Sequence, residues 1–373
     1  MNYGKVSENV YKRTVYKTIH TTGYFDKETA NSAVLGSDCA VLRLMSKTAI
    51  DAHSCEEEEC RKRPHSAQEC VSHIPFLADD EMIQVVSSGQ AWGKDAAVAT
   101  RAAQHALNHL AAMGALRDVE DERALAYISL NINIPTEYRE AKLRAVLEKA
   151  TQTMADMKVS ILTTEVQVIP GITTVLVTAH AHTKASKEQI LAPGGARPEQ
   201  DVVMTKWLGL EGTATITDRK LRELQTRYPI GLLDEAAAFE KYLSIIPEAA
   251  TAAKSGVSAM QVVREGGIFG ALWELAEESG VGLVIDLKKI PVKQETIEVC
   301  EFFDANPYKL LSGGSLLFTT DKGMDLVALL EEQGIAAAVI GKTIEGNDRI
   351  LMNEDEKRFL EPAREDELYK VLA

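Results

Sequence analysis

A long alanine-rich segment in the first half of the chain most constrains the fold. Residues 93–114 read GKDAAVATRAAQHALNHLAAMG, contain no proline and end on a glycine, a composition that predicts a helix. A second helix is predicted over 136–157, where apolar residues recur at helical spacing. Its predicted buried face carries Leu143, Val146, Leu147, Ala150 and Met154. Each helix follows an apolar run of strand length, so we expect strands and helices to alternate.

Apolar runs of strand length surround these helices. SAVLGSDCAVLRL, 32–44, predicts a strand, a turn at Gly-Ser-Asp and a second strand. Buried strands are also predicted for EMIQVVSSG (81–89) and ALAYISLNINIP (124–135). The stretch 158–183 predicts two strands joined as a hairpin at Pro170-Gly171. Strands interleaved with helices and followed by a hairpin predict a mixed sheet, so the fold class is α/β in the α+β sense.

The second half begins after a polar segment rich in glycine and proline, ASKEQILAPGGARPEQD at 185–201. Beyond it, helices are predicted around 218–227, 234–254 and 267–279, with three further strands. A chain of 373 residues accommodates roughly two domains. The predicted division is an N-terminal domain over 1–184, a C-terminal domain over 185–353 and a charged tail over 354–373.

Charge and composition argue against several classes of protein. The formal net charge is −14, and an acidic surface repels phosphate backbones, so we expect no nucleic-acid partner. No run of about 18 apolar residues occurs, so we expect no membrane span. The start, MNYGKVSENVYKRTVYK, lacks the apolar core of a secretory signal. The five cysteines are odd in number and partly scattered, which argues against a disulfide framework and predicts a cytoplasmic protein.

The stretch HSCEEEECRKRPHSAQECVSH, 53–73, holds three of the five cysteines and three of the eight histidines. Cys55, Cys60, His65 and Cys70 are its candidate ligands for zinc or an iron–sulfur cluster. No Cys-x-x-Cys pair occurs, and the four glutamates beside Cys55 disfavour its thiolate. The pattern favours a solvated insertion with free thiols, and a metal or sulfur role is the alternative.

Three turns that contain glycine are candidates for chemistry. REGGIFG, 264–270, precedes a predicted helix whose first N–H groups can meet an anion. LGLEGT, 208–213, is a second glycine-rich turn after a strand. GSDC, 36–39, places Asp38 in a tight turn, where a carboxylate most often bonds its own backbone. Each signal is weak alone, and the sequence contains no Walker loop, Gly-x-Ser-x-Gly or His-Glu-x-x-His motif.

Taken in order, six segments resemble the motifs of one known family. They are GSDCAVL; LNHLAAMGA (107–115); TTEVQVIPG (163–171); DVVMTKWLGLEGT, which corresponds to that family's strand and Gly-x-His-Gly turn; SAMQVVREGGIFGALWELAEESGVGL (258–283), which corresponds to its Asp-x-Thr and glycine pair; and DANPYKLLSGGSLLF (304–318). Over roughly residues 30–345 this order resembles the AIR synthase-related superfamily, which has the PurM-like fold, and within it the HypE hydrogenase maturation factors most closely.

The resemblance implies two α/β domains, with the sheet of the N-terminal domain forming a barrel across a homodimer. It implies ATP and magnesium in a cleft between the domains. Family members activate an oxygen of an amide, carbamoyl or related group by phosphorylation, or transfer phosphate outright. The implied substrate is a small molecule or a protein-bound group.

The resemblance also implies roles for individual residues. The implied catalytic residues are Asp38, Glu165 and Arg264. The implied cofactor-binding residues are Asp38, Asn108, Gly114, Thr164, Gly266 and Gly267. Asp38 is also the implied magnesium ligand, and Arg264 can replace part of the missing cation by pairing with phosphate oxygens.

Several departures from the family pattern remove acidic residues. His109 stands where the family has the Asp of Asn-Asp, Val262 stands for the Asp of Asp-x-Thr, and Ser88-Gly89 lies where a Thr-Asp pair is expected. Magnesium prefers carboxylates and water, so we expect weakened magnesium binding. The final ELYKVLA has no cysteine, so we expect no carbamoyl transfer to a C-terminal thiol.

Three functions therefore remain open from sequence. The first is an ATP-dependent ligase, dehydratase or phosphotransferase with an altered site, and the second is a non-catalytic dimeric binding or maturation-scaffold protein. The third is a metal- or sulfur-handling protein that uses 53–73. His105 and His109, four apart on one helix face, are more typical of interface or core histidines than of metal ligands. The substrate stays open because loops on a shared scaffold determine it.

Overall fold

The structure is a computed structural model that describes residues 82–116, 125–191, 194–362 and 365–373, together with the backbone of 30–31 and 39–43. Its strands form two sheets, one of six strands and one of seven. We call the described residues up to 191 the N-terminal region and those from 194 onward the C-terminal region.

The sheet of the N-terminal region is mixed, as the sequence predicts. Its strands are β1 (Ala30–Asn31), β2 (Cys39–Arg43), β3 (Met82–Gly93), β4 (Ala126–Ile134), β5 (Val159–Val168) and β6 (Val175–Ser186). Their order is β1–β2–β3–β6–β4–β5. The predicted hairpin at Pro170-Gly171 is wrong, because β4 lies between the two strands, parallel to β5 and antiparallel to β6. Every second residue of β4 is buried, which favours this inner position over an edge.

Two helices cover one face of this sheet. They are α1 (Val98–Ala112) and α2 (Glu140–Asp156), and each lies within the range that the sequence predicts. α2 is amphipathic and buries Val146, Ala150 and Met154. α1 is different, because all of its residues except Ala112 are buried. A helix that is buried all round must have packing partners on more than one side.

The C-terminal region surrounds the second sheet with helices. Its strands are β7 (Asp201–Thr205), β8 (Ala259–Val263), β9 (Gly282–Asp286), β10 (Ser315–Thr320), β11 (Ala337–Ile344), β12 (Arg349–Asn353) and β13 (Glu356–Phe359). Its helices are α3 (Leu210–Leu224), α4 (Ile230–Ala237), α5 (Ile246–Lys254), α6 (Gly267–Ser279), α7 (Gln294–Phe302), α8 (Gly323–Glu332) and α9 (Glu367–Leu372). The strand order is β13–β12–β9–β11–β7–β10–β8.

The predicted helix over 234–254 is wrong as a single element. The chain forms α4, a 3-10 helix at Ala238–Tyr242, and then α5. Proline stands in the first turn of α5, where a missing N–H costs nothing, whereas inside one long helix it would remove a hydrogen bond. The helix predicted at 218–227 begins earlier, at Leu210, directly after the left-handed Gly209.

The largest apolar cluster joins the two regions. It contains Leu107 and Leu110 of α1 together with Val203, Leu316 and Phe318 of the second sheet. α1 therefore packs against its own sheet on one side and the C-terminal region on the other. The polar residues of α1 that face the C-terminal region are consequently buried as well.

Neither sheet closes into a barrel among the described strands, and a barrel across a homodimer stays a prediction. The domain boundaries also stay predictions. Within the segment predicted as a charged tail, β13 and α9 form, and Leu368 and Val371 pack in an apolar cluster with Ile216 and Leu224. Within the described ranges, no helix has the length and apolar character needed to cross a membrane.

Candidate functional site

A row of polar side chains on α1 faces the C-terminal region. Arg101, His105, Asn108 and His109 are each less than 10% exposed, although polar residues of this kind are usually found at the surface. The spacing of four between Arg101, His105 and His109 places these three on one face of the helix. Buried polar groups need partners, and the partners of this row come from both regions.

α1 lies so close to β3 because Gly89 has no side chain. A Cβ at this position would lie 2.4 Å from both the carbonyl oxygen of Ala102 and the amide nitrogen of Ala106. The hydroxyl of Ser87 also donates to the carbonyl oxygen of Ala106 at 2.7 Å. An aspartate, which the resemblance predicts near this position, could not be accommodated at position 89 without displacing α1.

The same closeness fixes one nitrogen of each histidine. His105 Nδ1 lies 2.8 Å from the carbonyl oxygen of Gln90, and His109 Nδ1 lies 3.1 Å from that of Ser88. A carbonyl oxygen only accepts, so each Nδ1 carries a hydrogen. The Nε2 atoms of both rings are thereby directed toward the C-terminal region.

The two Nε2 atoms contact side chains of opposite charge. His105 Nε2 lies 2.8 Å from Glu211 Oε1, a buried carboxylate of the first turn of α3. His109 Nε2 contacts the guanidinium Nη1 of Arg264, which follows β8. A carboxylate accepts and a guanidinium only donates, so His105 is arranged as an imidazolium and His109 as a neutral ring. We call Arg101, His105, His109, Glu211 and Arg264 the interface cluster.

Glu211 is the centre of charge in the interface cluster. Burial alone would raise its pKa, but the nearby charges of His105, Arg101 and Arg264 outweigh burial and hold the pKa below its usual value. Its second oxygen, Oε2, is buried and has no hydrogen-bond partner among the described residues. Gly313 leaves room for that oxygen, since a Cβ there would lie 2.0 Å from it.

Arg101 ties the start of α1 to the C-terminal region. Its guanidinium makes two hydrogen bonds to Asp95, at 2.7 and 2.9 Å, and one to Glu240 at 2.8 Å. Burial alone would lower the pKa of Arg101, but these carboxylates outweigh it and raise the pKa. The side chain is therefore a fixed cation at the edge of the cluster.

Asn108, a predicted cofactor-binding residue, bonds the backbone of the C-terminal region. Its amide donates to the carbonyl oxygen of Leu243 at 2.8 Å, and its side-chain oxygen accepts from the N–H of Ile245 at 3.1 Å. Lys206 bonds the same loop through the carbonyl oxygens of Tyr242 and Ser244, at 2.8 and 2.7 Å. Burial lowers the pKa of Lys206 despite its ion pair with Glu248.

The glycine pair lies beside the interface cluster and has left-handed backbone geometry. Gly266 has φ +81 and Gly267 has φ +62, a region that residues with a side chain rarely adopt. A Cβ on Gly267 would lie 2.4 Å from the carbonyl oxygen of Tyr308. The N–H of Gly266 donates to Asp366 Oδ2 at 2.7 Å. This predicted phosphate-binding turn therefore has a carboxylate of its own chain as a partner.

The other predicted residues lie apart or outside the described residues. Thr164 and Glu165 are exposed on the edge strand β5, where Glu165 accepts from Gln167 at 2.8 Å. Gly114 forms the left-handed turn after α1, against the carbonyl oxygen of Gln189. Asp38, Cys55, Cys60, His65 and Cys70 lie outside the described residues. Within the described part of the chain, no group of three His, Cys, Asp or Glu residues is arranged to hold a metal ion.

A surface groove of about 540 Å³ lies elsewhere, along α2 between Glu140 and Gln152. All of its lining residues belong to that single helix, so it is an open surface rather than an enclosed site. The buried charges of the interface cluster are a stronger indication of function, because groups whose pKa is shifted by burial and by specific charged partners cluster at functional sites.

Sequence reasoning missed Glu211, Arg101 and Asp366 as parts of this site. Two signals could have found them. Glu211 stands at the third position of GLEG, where the Gly-x-His-Gly turn that this segment resembles has its histidine. Arg101, His105 and His109 repeat at intervals of four residues inside an alanine-rich helix. No comparable local pattern marks Asp366, which meets the site only through the tertiary fold.

Comparison with known proteins agrees with this architecture. Residues 197–352 match the model of the AIR synthase related protein, C-terminal domain. A putative hydrogenase expression/formation protein of Methanocaldococcus jannaschii is 22% identical over 58% of this chain and 60% of its own length. The carbamoyl dehydratase HypE of Rhizobium leguminosarum is 28% identical over 41% of this chain and 43% of its own length. The chain thus spans at most 60% of either relative's length.

Solved structures share the fold at low sequence identity. The ThiL protein complexed with AMPPCP and TMP matches with a TM-score of 0.64, 14% identity, 96% of this chain and 100% of that chain. HypE in complex with ATP matches with a TM-score of 0.61, 13% identity, and 87% and 97% coverage. The HypE–HypF complex matches with a TM-score of 0.63, 15% identity, and 84% and 98% coverage. At these identities the likeness shows the fold.

Proposed function

We propose that this chain, which is an AIR synthase-related protein similar to HypE, binds ATP where its two regions meet and uses it to activate or phosphorylate an oxygen of a small amide, carbamoyl or related group. The proposal draws on the nucleotide complexes of neighbours with the same fold. It includes a soluble cytoplasmic homodimer and a substrate that is a small molecule or is carried by another protein, since one neighbour is a complex of two proteins.

The observation that carries the proposal is the arrangement of Arg264. This arginine lies two residues before Gly266. Its guanidinium contacts His109 Nε2, and its charge helps to hold the pKa of Glu211 below the usual value. Phosphoryl transfer needs positioning and positive charge around the phosphate oxygens more than covalent chemistry. A guanidinium beside the backbone N–H donors of the glycine turn supplies both.

The described residues fit phosphate better than magnesium. Magnesium prefers several carboxylates and waters. The interface cluster has one carboxylate, Glu211, and His105 already occupies its Oε1. Positions 89, 109 and 262 carry glycine, histidine and valine, and Val262 is buried in the apolar core. Magnesium in this protein would depend on the nucleotide and on Asp38, so we derive no step through the metal.

Within this proposal the chain's residues have distinct tasks. Arg264 neutralises phosphate oxygens, and the neutral His109 holds the guanidinium in place by accepting one of its hydrogens. The ion pair of His105 and Glu211 fixes the distance between α1 and α3. These residues thus position the C-terminal region against α1 and present a cation beside the glycine pair.

We infer that Thr164 and Glu165 would serve such a site from another chain. Both are exposed on β5, an edge strand that pairs only with β4 among the described strands. The exposed edge also carries Leu162, Val166 and Val168, which are 50%, 38% and 58% exposed. An open apolar edge favours pairing with a second sheet, which supports the proposed homodimer and a role for Glu165 across its interface.

Calorimetric titration with ATP and magnesium tests the proposal. We expect the wild-type protein to bind, and Arg264→Gln to weaken binding by roughly 10- to 100-fold, the size of a lost charge-assisted hydrogen bond to phosphate. Arg197→Gln is the matched control, because the side chain of Arg197 forms an exposed ion pair with Asp321. Absence of ATP binding in the wild type, or equal weakening in both variants, would overturn the proposal.

A second candidate is a non-catalytic binding or maturation-scaffold protein. It is favoured by the pairing of the interface cluster within the chain, since Glu211 has His105, Arg264 has His109, and Gly266 has Asp366. Such pairing stabilises the contact between the regions without any ligand. ATP hydrolysis that Arg264→Gln abolishes would exclude this candidate.

The metal- or sulfur-handling candidate rests on Cys55, Cys60, His65 and Cys70, which lie outside the described residues, and it stays a prediction. Elemental analysis of the gently purified protein tests it. Stoichiometric zinc or iron would support the candidate, and full thiol titration without metal would remove it.

A further inference from the structure

The segment before and within α9 closes over the glycine pair. Asp366 is 4% exposed and accepts three backbone hydrogen bonds. Its Oδ2 accepts from the N–H of Gly266 at 2.7 Å, and its Oδ1 accepts from those of Leu311 and Leu368 at 3.1 and 2.8 Å. Two of these donors belong to the C-terminal region outside α9. One carboxylate near the chain's end thus occupies donors that lie beside Arg264.

The same segment also reaches the N-terminal region. The ring of Tyr369 stacks on Trp92 of β3, with ring centres 6.1 Å apart and planes 16° apart. Its hydroxyl donates to Glu265, the residue before the glycine pair, at 2.8 Å. Arg219 also contacts Trp92, since its guanidinium lies 4.3 Å from the Trp92 ring centre and donates to the Trp92 carbonyl oxygen at 3.1 Å.

We propose that residues 365–373 form an autoinhibitory strap. In the docked state the carboxylate of Asp366 holds the N–H groups of Gly266 and Leu311, and Tyr369 ties the strap to Trp92 across the two regions. An anionic phosphate ligand competes with Asp366 for these N–H groups, because carboxylate and phosphate oxygens are acceptors of the same kind. This inference rests on the proposed function and names the regulation of the same site.

The strap has features of a contact that can be displaced. Burial raises the pKa of Asp366 to about 7 although three backbone N–H groups favour the ionised form, and the charge of Glu265 adds to the rise. The docked carboxylate is therefore poorly compensated near neutral pH. Leu368 and Val371 anchor the helix in the apolar cluster of Ile216 and Leu224, so the polar contacts can open while the anchor remains.

Two variants test the strap with inorganic pyrophosphate as the probe. Asp366→Ala frees the N–H groups of Gly266 and Leu311. Tyr369→Ala removes the contacts with Trp92 and Glu265 while Asp366 is retained. We expect Asp366→Ala to bind pyrophosphate roughly tenfold more tightly than the wild type, with a smaller gain for Tyr369→Ala. Glu365→Gln is the control, because it removes a carboxylate from an exposed neighbour of Asp366 and should leave affinity unchanged.

The strap and the proposed function fail in different ways. Unchanged pyrophosphate affinity in both variants, or no pyrophosphate binding by any of the four proteins, would overturn the strap. The proposed function is judged separately with ATP and magnesium on the same proteins. ATP binding of equal strength in all four proteins would leave the proposed function standing and remove the strap. If one variant fails to fold, the other still decides the question.

Discussion

Two strand–glycine–helix turns of the C-terminal region share a backbone design but differ in what meets them. β7 leads through Gly209 into α3, and β8 leads into α6 through Gly266, and the two glycines have φ +72 and +81. The N–H of Gly209 donates to the hydroxyl of Ser312 at 2.7 Å. The N–H of Gly266 donates to the carboxylate of Asp366 at the same distance. The Gly209 turn thus has a neutral hydroxyl as its partner, and the Gly266 turn has a carboxylate.

The two turns also place side chains of opposite charge against α1. The first presents Glu211 to His105, and the second is preceded by Arg264, which contacts His109. The first pair joins two charges, and the second joins a charge to a neutral ring. From this difference we expect the Gly209 turn to contribute more than the Gly266 turn to fixing the two regions together.

The largest expected effect comes from removing charge at the first turn. Glu211→Gln should lower the free energy of unfolding by about 3 kcal/mol, because a buried charge pair loses one partner. Arg264→Gln should cost less, since its partner is a neutral histidine. Urea denaturation measures both, with Glu223→Gln, an exposed carboxylate of α3 paired with Lys220, as control. Equal losses for Glu211→Gln and the control would remove the distinction between the turns.

Alanine substitutions of the glycines sharpen the comparison. A Cβ at position 267 meets a backbone carbonyl at 2.4 Å, whereas at position 209 it meets the side-chain methyl of Thr296 at 2.7 Å. Gly267→Ala should therefore cost about 2–3 kcal/mol and Gly209→Ala about 1–2 kcal/mol. Gly256→Ala is the control, because its φ is +74 with open space around it, so only backbone strain of about 1 kcal/mol applies. A reversed order in thermal or urea unfolding would contradict the packing of the Gly267 turn.

Stability should depend on pH in opposite directions at the two turns. The folded pKa of Asp366 is about 7, above its ordinary value of 3.8, so the unfolded chain releases this proton first and stability falls as pH rises between them. The slope is at most about 1.4 kcal/mol per pH unit, and Asp366→Asn should remove it. Glu211 has a lowered pKa, so its contribution is present above 4.5 and is lost in more acidic solution. Identical unfolding curves of wild type and Asp366→Asn from pH 4 to 8 would count against the buried position of Asp366.

The smallest effect on stability is expected on β5. Glu165→Gln should change the free energy of unfolding by less than about 0.5 kcal/mol, because the side chain is exposed. If a second chain brings Glu165 to the site, the same variant should nevertheless weaken ATP binding. Calorimetry beside urea unfolding separates the two quantities. An unchanged ATP affinity would exclude Glu165 from the site.

Much of the fold followed from periodicity, and much of the site did not. The segment 93–114 predicted α1 because alanine content and helix length are local properties. The hairpin after β5 was wrong because strand partners are chosen by burial across the sheet, and β4 took the inner position. The roles of His105 and His109 depend on Glu211 and Arg264, which lie more than 100 residues away in sequence, so spacing on α1 alone could not reveal them.

The most direct test is a crystal structure of the protein with a non-hydrolysable ATP analogue and magnesium. The account predicts phosphate oxygens within hydrogen-bond distance of the Arg264 guanidinium and of the Gly266 N–H, with the Asp366 carboxylate displaced from that N–H. A structure that shows the nucleotide bound elsewhere, or no nucleotide and the Asp366–Gly266 contact intact, would contradict it.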